Sequence, residues 1–121
     1  MVQVSKHFKD AEFACKCGKC GLSYVNPNLI IVLEDVREHF GQPVIITSGR
    51  RCAEHNKAVK GAPASKHVTG DASDIKVKNV SPNDVADYLE KKYPNEYGIG
   101  RYNTFTHIDV RPTKARWDFR K

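Results

Sequence analysis

Two short segments, far apart along the chain, constrain the fold more than any other feature of the sequence. One is Ser65–Asp74 (SKHVTGDASD), and the other is Thr106–Val110 (THIDV). A fold that brings His67, Asp74 and His107 onto one cation creates a His/Asp/His ligand set with an open fourth position, which a hydrolytic zinc site can use. Such a fold must bring together Asp74 and His107, which are 33 positions apart in the sequence.

The size and composition of the chain limit it to one such site. With 121 residues, of which 40% are hydrophobic, it has the size of one ordinary domain, so we predict a single domain over residues 1–121. No run approaches the roughly 18 apolar residues of a membrane helix. The first ten residues lack the features of a secretory signal. We therefore expect a monomer that stays cytoplasmic until something other than a signal peptide releases it.

The formal charge of +6 raises the question of a nucleic-acid partner, because basic domains neutralise phosphates. The basic residues are scattered except for a cluster at 114–121. No recognition helix or stacking aromatic platform accompanies them. We therefore predict no nucleic-acid partner, and note that a positive surface equally favours a polyanionic polymer such as a bacterial wall.

Periodicity predicts two helices and about four strands. One helix covers Asn28–Phe40 and ends at Gly41, and the other begins at the N-cap Ser81 and is stopped by Pro94. The predicted strands, which are short apolar or alternating runs between turn residues, are 43–47, 71–77, 97–99 and 105–110. Residues 52–70 lack a period and predict a long loop, with one helical turn near 54–59. The tail is polar apart from Trp117 and Phe119, which we expect to dock on the body.

These elements predict an α+β fold: an antiparallel sheet of about four strands, with helices on one side and the metal site in a cleft on the sheet. Asp74 and His107 fall on predicted strands, whose side chains have little freedom, and His67 falls in the preceding loop. Spacing alone leaves another interpretation open. His67 would then be a surface residue, Asp74 a cap or ion-pair partner, and His107 a hydrogen-bonded core histidine.

A resemblance to a known family bears on this choice. The motifs, in chain order, are SGRRCAEHN at 48–56, GAPASKH at 61–67, GDASDI at 70–75, GIG at 98–100 and FTHIDVR at 105–111. They resemble those of the zinc D-Ala-D-Ala carboxypeptidases, peptidase family M15, whose members include phage endolysins and cut peptidoglycan stem peptides. The match covers nearly the whole chain, and its S-x-H-x-x-G-x-A-x-D element is specific.

The resemblance implies particular roles for several residues. It makes His67, Asp74 and His107 ligands of Zn²⁺, which would activate a water for attack on the scissile carbonyl. It makes Arg51 the group that holds the substrate carbonyl and stabilises the oxyanion, although Arg51 could instead only pair with a nearby carboxylate. Ser65 either contacts substrate or shapes its loop.

The general base departs from the family pattern. Several relatives carry Glu or Asp three residues before the last His, where this chain has Thr104, which cannot accept a proton at neutral pH. Asp109 points to the same face of its strand as His107, so it is either the base or the group that orients this imidazole. Glu54 and His55 are weaker candidates.

The four cysteines allow three arrangements. They can form a structural zinc site, two disulfides, or remain reduced thiols. The residues concerned are Cys15, Cys17, Cys20 and Cys52.

Three classes of function follow. The first is a zinc peptidase that cuts peptidoglycan stem peptides, either as a D-Ala-D-Ala carboxypeptidase or as an L-Ala-D-Glu endopeptidase of a phage lysis system. The second is a non-catalytic module that binds the cell wall with the same fold, which Thr104 supports. The third is a nucleic-acid-binding domain with a cysteine zinc knuckle, which leaves His67, Asp74 and His107 unexplained.

Overall fold

A computed structural model of the protein describes residues 5–13, 25–49, 67 and 70–120. Within these residues the fold is α+β, as predicted, with two α-helices, one 3-10 helix at Asp10–Phe13 and five strands. The helices are α1 (Pro27–Phe40) and α2 (Pro82–Lys92). The strands are β1 (Val44–Ser48), β2 (Ala72–Val77), β3 (Gly98–Arg101), β4 (Thr106–Asp109) and β5 (Ala115–Asp118).

Both helices begin at capping residues, and α1 also ends at one. The side chain of Asn26 accepts a hydrogen bond from the backbone N–H of Asn28, and α1 ends at Gly41 in the left-handed conformation, at φ 62°. The hydroxyl of Ser81 accepts a hydrogen bond from the backbone N–H of Asp84 at the start of α2. Such contacts satisfy backbone groups that have no partner inside the helix.

The sheet has the strand order β1-β2-β4-β3-β5. The first four strands are antiparallel to their neighbours, whereas β5 runs parallel to β3. The prediction of about four antiparallel strands therefore missed one edge strand. Its sequence, Ala-Arg-Trp-Asp, has two charged residues among four, so it lacks the apolar character that marks a strand, and its pairing with β3 supplies the order instead.

The two faces of the sheet differ in what covers them. One face packs under both helices, and its core side chains are Ile75, Val77, Ile99 and Ile108. The helices also contact each other, since Tyr88 Oη on α2 donates to Asp35 Oδ2 on α1 over 2.6 Å. Because side chains alternate along a strand, the neighbours of these core residues point to the other face, away from the helices.

The N-terminal segment packs against the same core. Phe8 and Phe13 are almost completely buried. Glu34 on α1 accepts hydrogen bonds from Ser5 Oγ at 2.5 Å and from the backbone N–H of His7 at 2.7 Å. These contacts fix the segment before the 3-10 helix onto α1.

Two further expectations concern single segments. His67 has a helical conformation, where a loop was expected, and the helical turn predicted near 54–59 lies outside the described residues. In the part of the chain that the structure covers, no helix has the length and apolar character required to cross a membrane.

Candidate metal centre

The register of β2 and β4 places Asp74 directly opposite His107, on the sheet face away from the helices. His67 approaches from the segment that leads into β2. One ligand atom from each of the three residues lies within 4.8 Å of those of the other two. Asp74 Oδ1 is 3.3 Å from His67 Nε2 and 3.0 Å from His107 Nδ1. Two imidazole nitrogens and one carboxylate oxygen thus converge on one point.

In each imidazole, the ring nitrogen that faces away from Asp74 contacts a hydrogen-bond acceptor, and this contact fixes the orientation of the ring. His67 Nδ1 lies 2.7 Å from the carbonyl oxygen of Gly49, and His107 Nε2 lies 2.8 Å from Asp109 Oδ2. Both partners are acceptors, so each holds a proton on the outer nitrogen, and the inner nitrogen, which faces Asp74, is the one that would bind a metal after losing its own proton. This is the arrangement in which histidine binds a metal.

The three residues are buried, with exposed fractions of 3% for His67 and 7% for both Asp74 and His107. Burial by itself raises the pKa of Asp74, but hydrogen bonds from His107 and His67 outweigh it and hold this pKa well below its usual range. The carboxylate is therefore ionised and ready to bind a cation. Neutral imidazole and carboxylate are common zinc ligands, so the donor set fits zinc.

Asp109 lies beside the ligand group and is fully buried. Its Oδ1 accepts hydrogen bonds from the backbone N–H of Gly98 at 3.1 Å and from Arg111 Nε at 2.8 Å, and its Oδ2 accepts from Arg111 Nη2 at 2.7 Å. Burial raises the pKa of Asp109, but the hydrogen bonds to His107 and Arg111 outweigh this effect and lower it strongly. Both oxygens of this carboxylate are thus engaged.

Two aromatic side chains, Trp117 and Tyr102, form an aromatic wall that borders the site on the side of β5. The indole of Trp117 lies over Gly100, where the nearest ring atoms would clash with any Cβ. Its ring centroid is 4.9 Å from that of His107, and its Nε1 donates to Tyr102 Oη over 3.0 Å. The absence of a side chain at Gly100 therefore lets the wall approach the ligand His107.

The structure brings some of the predicted site residues together and leaves others outside its range. His67, Asp74 and His107 form the group described above, and Asp109 contacts one of them. Thr104, which replaces the usual acidic residue, is exposed in the bend between β3 and β4. The residues outside the described range are Arg51, Ser65, Glu54, His55, Cys15, Cys17, Cys20 and Cys52.

A comparison with protein families decides what kind of protein this geometry belongs to. The model of the family described as Peptidase M15 matches residues 6–109, which is most of the chain. The chain belongs to the peptidase M15 family. Membership implies zinc peptidase activity, and the His/Asp/His group could hold the metal ion. A search of curated proteins found no match to the chain.

In this M15 peptidase, sequence reasoning missed several residues that surround the ligands. Gly49 orients His67 through a backbone carbonyl, which leaves no signal in the sequence. Trp117 approaches His107 only through the pairing of β5 with β3, whereas Arg111 follows Asp109 by two residues on the same face, so alternation along the strand could have indicated it. One signal was available, because two glycines spaced by one residue within a strand, as in Gly98 and Gly100, indicate a close approach of other groups.

Proposed function

We propose that this M15 peptidase hydrolyses peptide bonds in the stem peptides of peptidoglycan, with one zinc ion held by His67, Asp74 and His107. The observation that carries the proposal is the buried His/Asp/His group, in which the Gly49 carbonyl oxygen and Asp109 Oδ2 orient the two imidazoles. Zinc bound there would act as a Lewis acid, activating water and polarising the scissile carbonyl. The chain's own residues supply the fixed ligands and the negative charge of Asp74.

Within this proposal, Asp109 orients His107. A general base must reach the proton that it removes, yet Oδ2 of Asp109 contacts His107 and Arg111, and Oδ1 contacts Arg111 and Gly98. Neither oxygen is left to accept a proton from water. This carboxylate instead fixes the tautomer of His107, as carboxylate partners of metal-bound histidines do.

The substrate that we propose follows from the resemblance of the motifs and from the charge of the chain. The bond is of the D-Ala-D-Ala carboxypeptidase type, with the L-Ala-D-Glu bond as the alternative. Arg51 would hold the scissile carbonyl and Ser65 would contact the substrate. A net charge of +6 suits a polyanionic cell wall, which the enzyme would reach after release from the cytoplasm.

A second candidate is a non-catalytic wall-binding module. Thr104 favours it, because the position that carries an acid in several relatives cannot serve as a base here. The two candidates share the fold and the metal but differ in turnover.

Digestion of purified peptidoglycan, with mass spectrometry of the soluble fragments, tests the proposal. Wild type should generate new ends, and His67→Ala should generate none. Release of D-alanine identifies the carboxypeptidase, whereas new D-Glu amino ends identify the endopeptidase. His39→Ala, which alters an exposed histidine of α1, should digest like wild type. If the wild-type protein cosediments with the wall but releases nothing, the binding module is the correct function.

A further inference from the structure

We infer that Arg111 is a positioning residue for the metal centre: supported by Trp117, it holds Asp109 in the orientation that makes His107 present Nδ1 to zinc. This role rests on the zinc site of the proposed function. It gives a task to Arg111, whose side chain contacts Asp109, and to Trp117, whose ring lies beside His107. The chain of contacts runs from Trp117 through Arg111 and Asp109 to His107.

The first link is the pairing of Arg111 with Asp109. The guanidinium donates from Nε to Oδ1 over 2.8 Å and from Nη2 to Oδ2 over 2.7 Å. Two parallel donors define the plane of a carboxylate as well as its position, which a single point charge cannot do. The backbone N–H of Arg111 also donates to Oδ1 over 3.2 Å. Asp109 is therefore fixed in rotation.

The second link connects that plane to the ligand. Oδ2 of Asp109 contacts both Arg111 Nη2 and His107 Nε2, at 2.7 and 2.8 Å. The three residues alternate along one strand and its extension, so their side chains lie on the same face. Because Oδ2 is shared, a rotation of Asp109 would move the acceptor away from His107. The ring of His107 would then lose the contact that holds its outer nitrogen.

The third link keeps Arg111 in place. Its guanidinium carbon lies 5.3 Å from the centre of the Trp117 ring, within the range of a cation–π contact. The indole is itself held by its hydrogen bond to Tyr102 and by its seat over Gly100. A Cβ at Gly98 would meet both Oδ atoms of Asp109 and Nε of Arg111. The absence of side chains at Gly98 and Gly100 thus leaves room for Asp109, Arg111 and Trp117 against β3.

The opposite face of β3 offers a matched control. Arg101 also makes several charged contacts, including Nη2 to Asp87 at 2.7 Å and to Glu90 at 2.5 Å. Its partners lie on α2, on the helix side of the sheet, and none is a proposed ligand. Replacing Arg101 therefore removes a bonded arginine without touching the metal centre.

The test compares the zinc dissociation constants of Arg111→Gln, Arg111→Lys and Arg101→Gln with that of wild type, measured by competition with a chelator. Only the zinc that wild type binds and His67→Ala does not bind is assigned to the site. Loss of a contact that orients a metal ligand typically weakens metal affinity about 10–100-fold. We expect a loss of this size in Arg111→Gln. The loss should be smaller in Arg111→Lys, which keeps the charge but offers one donor nitrogen in place of two. The d–d absorption of the cobalt-substituted protein should change in the same two variants. Arg101→Gln should lower the thermal midpoint while leaving both readouts unchanged.

Equal zinc affinity in wild type and Arg111→Gln would overturn the role of Arg111, whether or not the enzyme cuts peptidoglycan. An equal loss in Arg111→Gln and Arg101→Gln would also overturn it, since a general loss of stability would then explain both. Failure of the proposed function looks different: zinc binds and responds to Arg111, but no stem peptide is cut. If wild type binds no zinc that depends on His67, both proposals fail.

Discussion

The carbonyl oxygen of Gly49 lies 2.7 Å from Nδ1 of His67. Gly49 also lies against the N-terminal segment, where a Cβ would be 2.7 Å from the Cα of Phe13. Phe13 is buried in the hydrophobic core. The residue that orients one proposed ligand is therefore held at the end of β1 by the packing of a segment more than thirty residues earlier in the chain.

Gly49→Ala should weaken the metal centre. The new methyl group meets backbone atoms of Phe13, which cannot rotate away, so the carbonyl that contacts His67 must shift. Overpacking of this kind costs about 1–3 kcal/mol in stability, and we expect a loss of zinc affinity of about tenfold or more. Zinc competition and thermal unfolding measure the two effects.

Gly41→Ala is the matched control for this change. Gly41 has a positive φ of 62° with nothing within 4 Å of an added Cβ, so alanine there costs about 1 kcal/mol through backbone strain alone. It should lower the thermal midpoint without changing zinc affinity. Wild-type zinc affinity in Gly49→Ala would show that its carbonyl does not orient His67.

Ser73→Ala should stabilise the protein. The hydroxyl of Ser73 is buried on the helix side of β2 and, among the described residues, has no hydrogen-bond partner. A buried polar group without a partner costs about 1–3 kcal/mol, so its removal should raise the free energy of unfolding by about 1 kcal/mol. Urea denaturation at equilibrium measures this change.

Thr106→Val provides the contrast, because Thr106 is equally buried but donates to the carbonyl oxygen of Pro82 over 2.8 Å. Loss of that hydrogen bond should destabilise the fold by about 1 kcal/mol. Destabilisation by both substitutions would mean that Ser73 has a partner, such as an ordered water, that stabilises the fold.

Glu34 should make folding stability depend on pH. Burial raises the pKa of Glu34, but hydrogen bonds from Ser5 and His7 outweigh this effect and lower it below its ordinary value of 4.5. A carboxyl with a lower pKa in the folded state contributes its stability above the unfolded pKa and loses it as the pH falls through the folded pKa. Glu34→Gln should therefore cost about 1–2 kcal/mol at neutral pH and progressively less in acid.

The difference in urea midpoint between wild type and Glu34→Gln, followed from neutral to acidic pH, measures this contribution separately from the other carboxylates. Glu38→Gln, at an exposed position of the same helix, should show no such trend. A difference that stays constant with pH would contradict the role given to Glu34.

The helices could be predicted from the sequence because their signals are local. Ser81 followed by Pro82 marks the start of α2, and Gly41 marks the end of α1. The alternation of residues 71–77 is local as well, and it puts Asp74 on the face opposite Ile75 and Val77, which lie in the core. The strand β5 could not be predicted in this way, because its order comes from pairing with β3.

The candidate site was predictable only in part for the same reason. His67, Asp74 and His107 have the residue types of metal ligands, so chemistry alone suggested them. Alternation along β4 and its extension places Asp109 and Arg111 on one face, but the space that their contact occupies beside Gly98 depends on the pairing of β3 with β4. The carbonyl of Gly49 carries no residue-specific signal at all.

The zinc content per chain of wild type, His67→Ala and His39→Ala, by elemental analysis after dialysis, tests the central claim most directly. Any zinc held by the cysteines is common to all three proteins, so the difference reports the His67, Asp74 and His107 group alone. We predict that His67→Ala loses one equivalent relative to wild type and that His39→Ala loses none. Equal zinc in wild type and His67→Ala would contradict the claim that this group holds the metal.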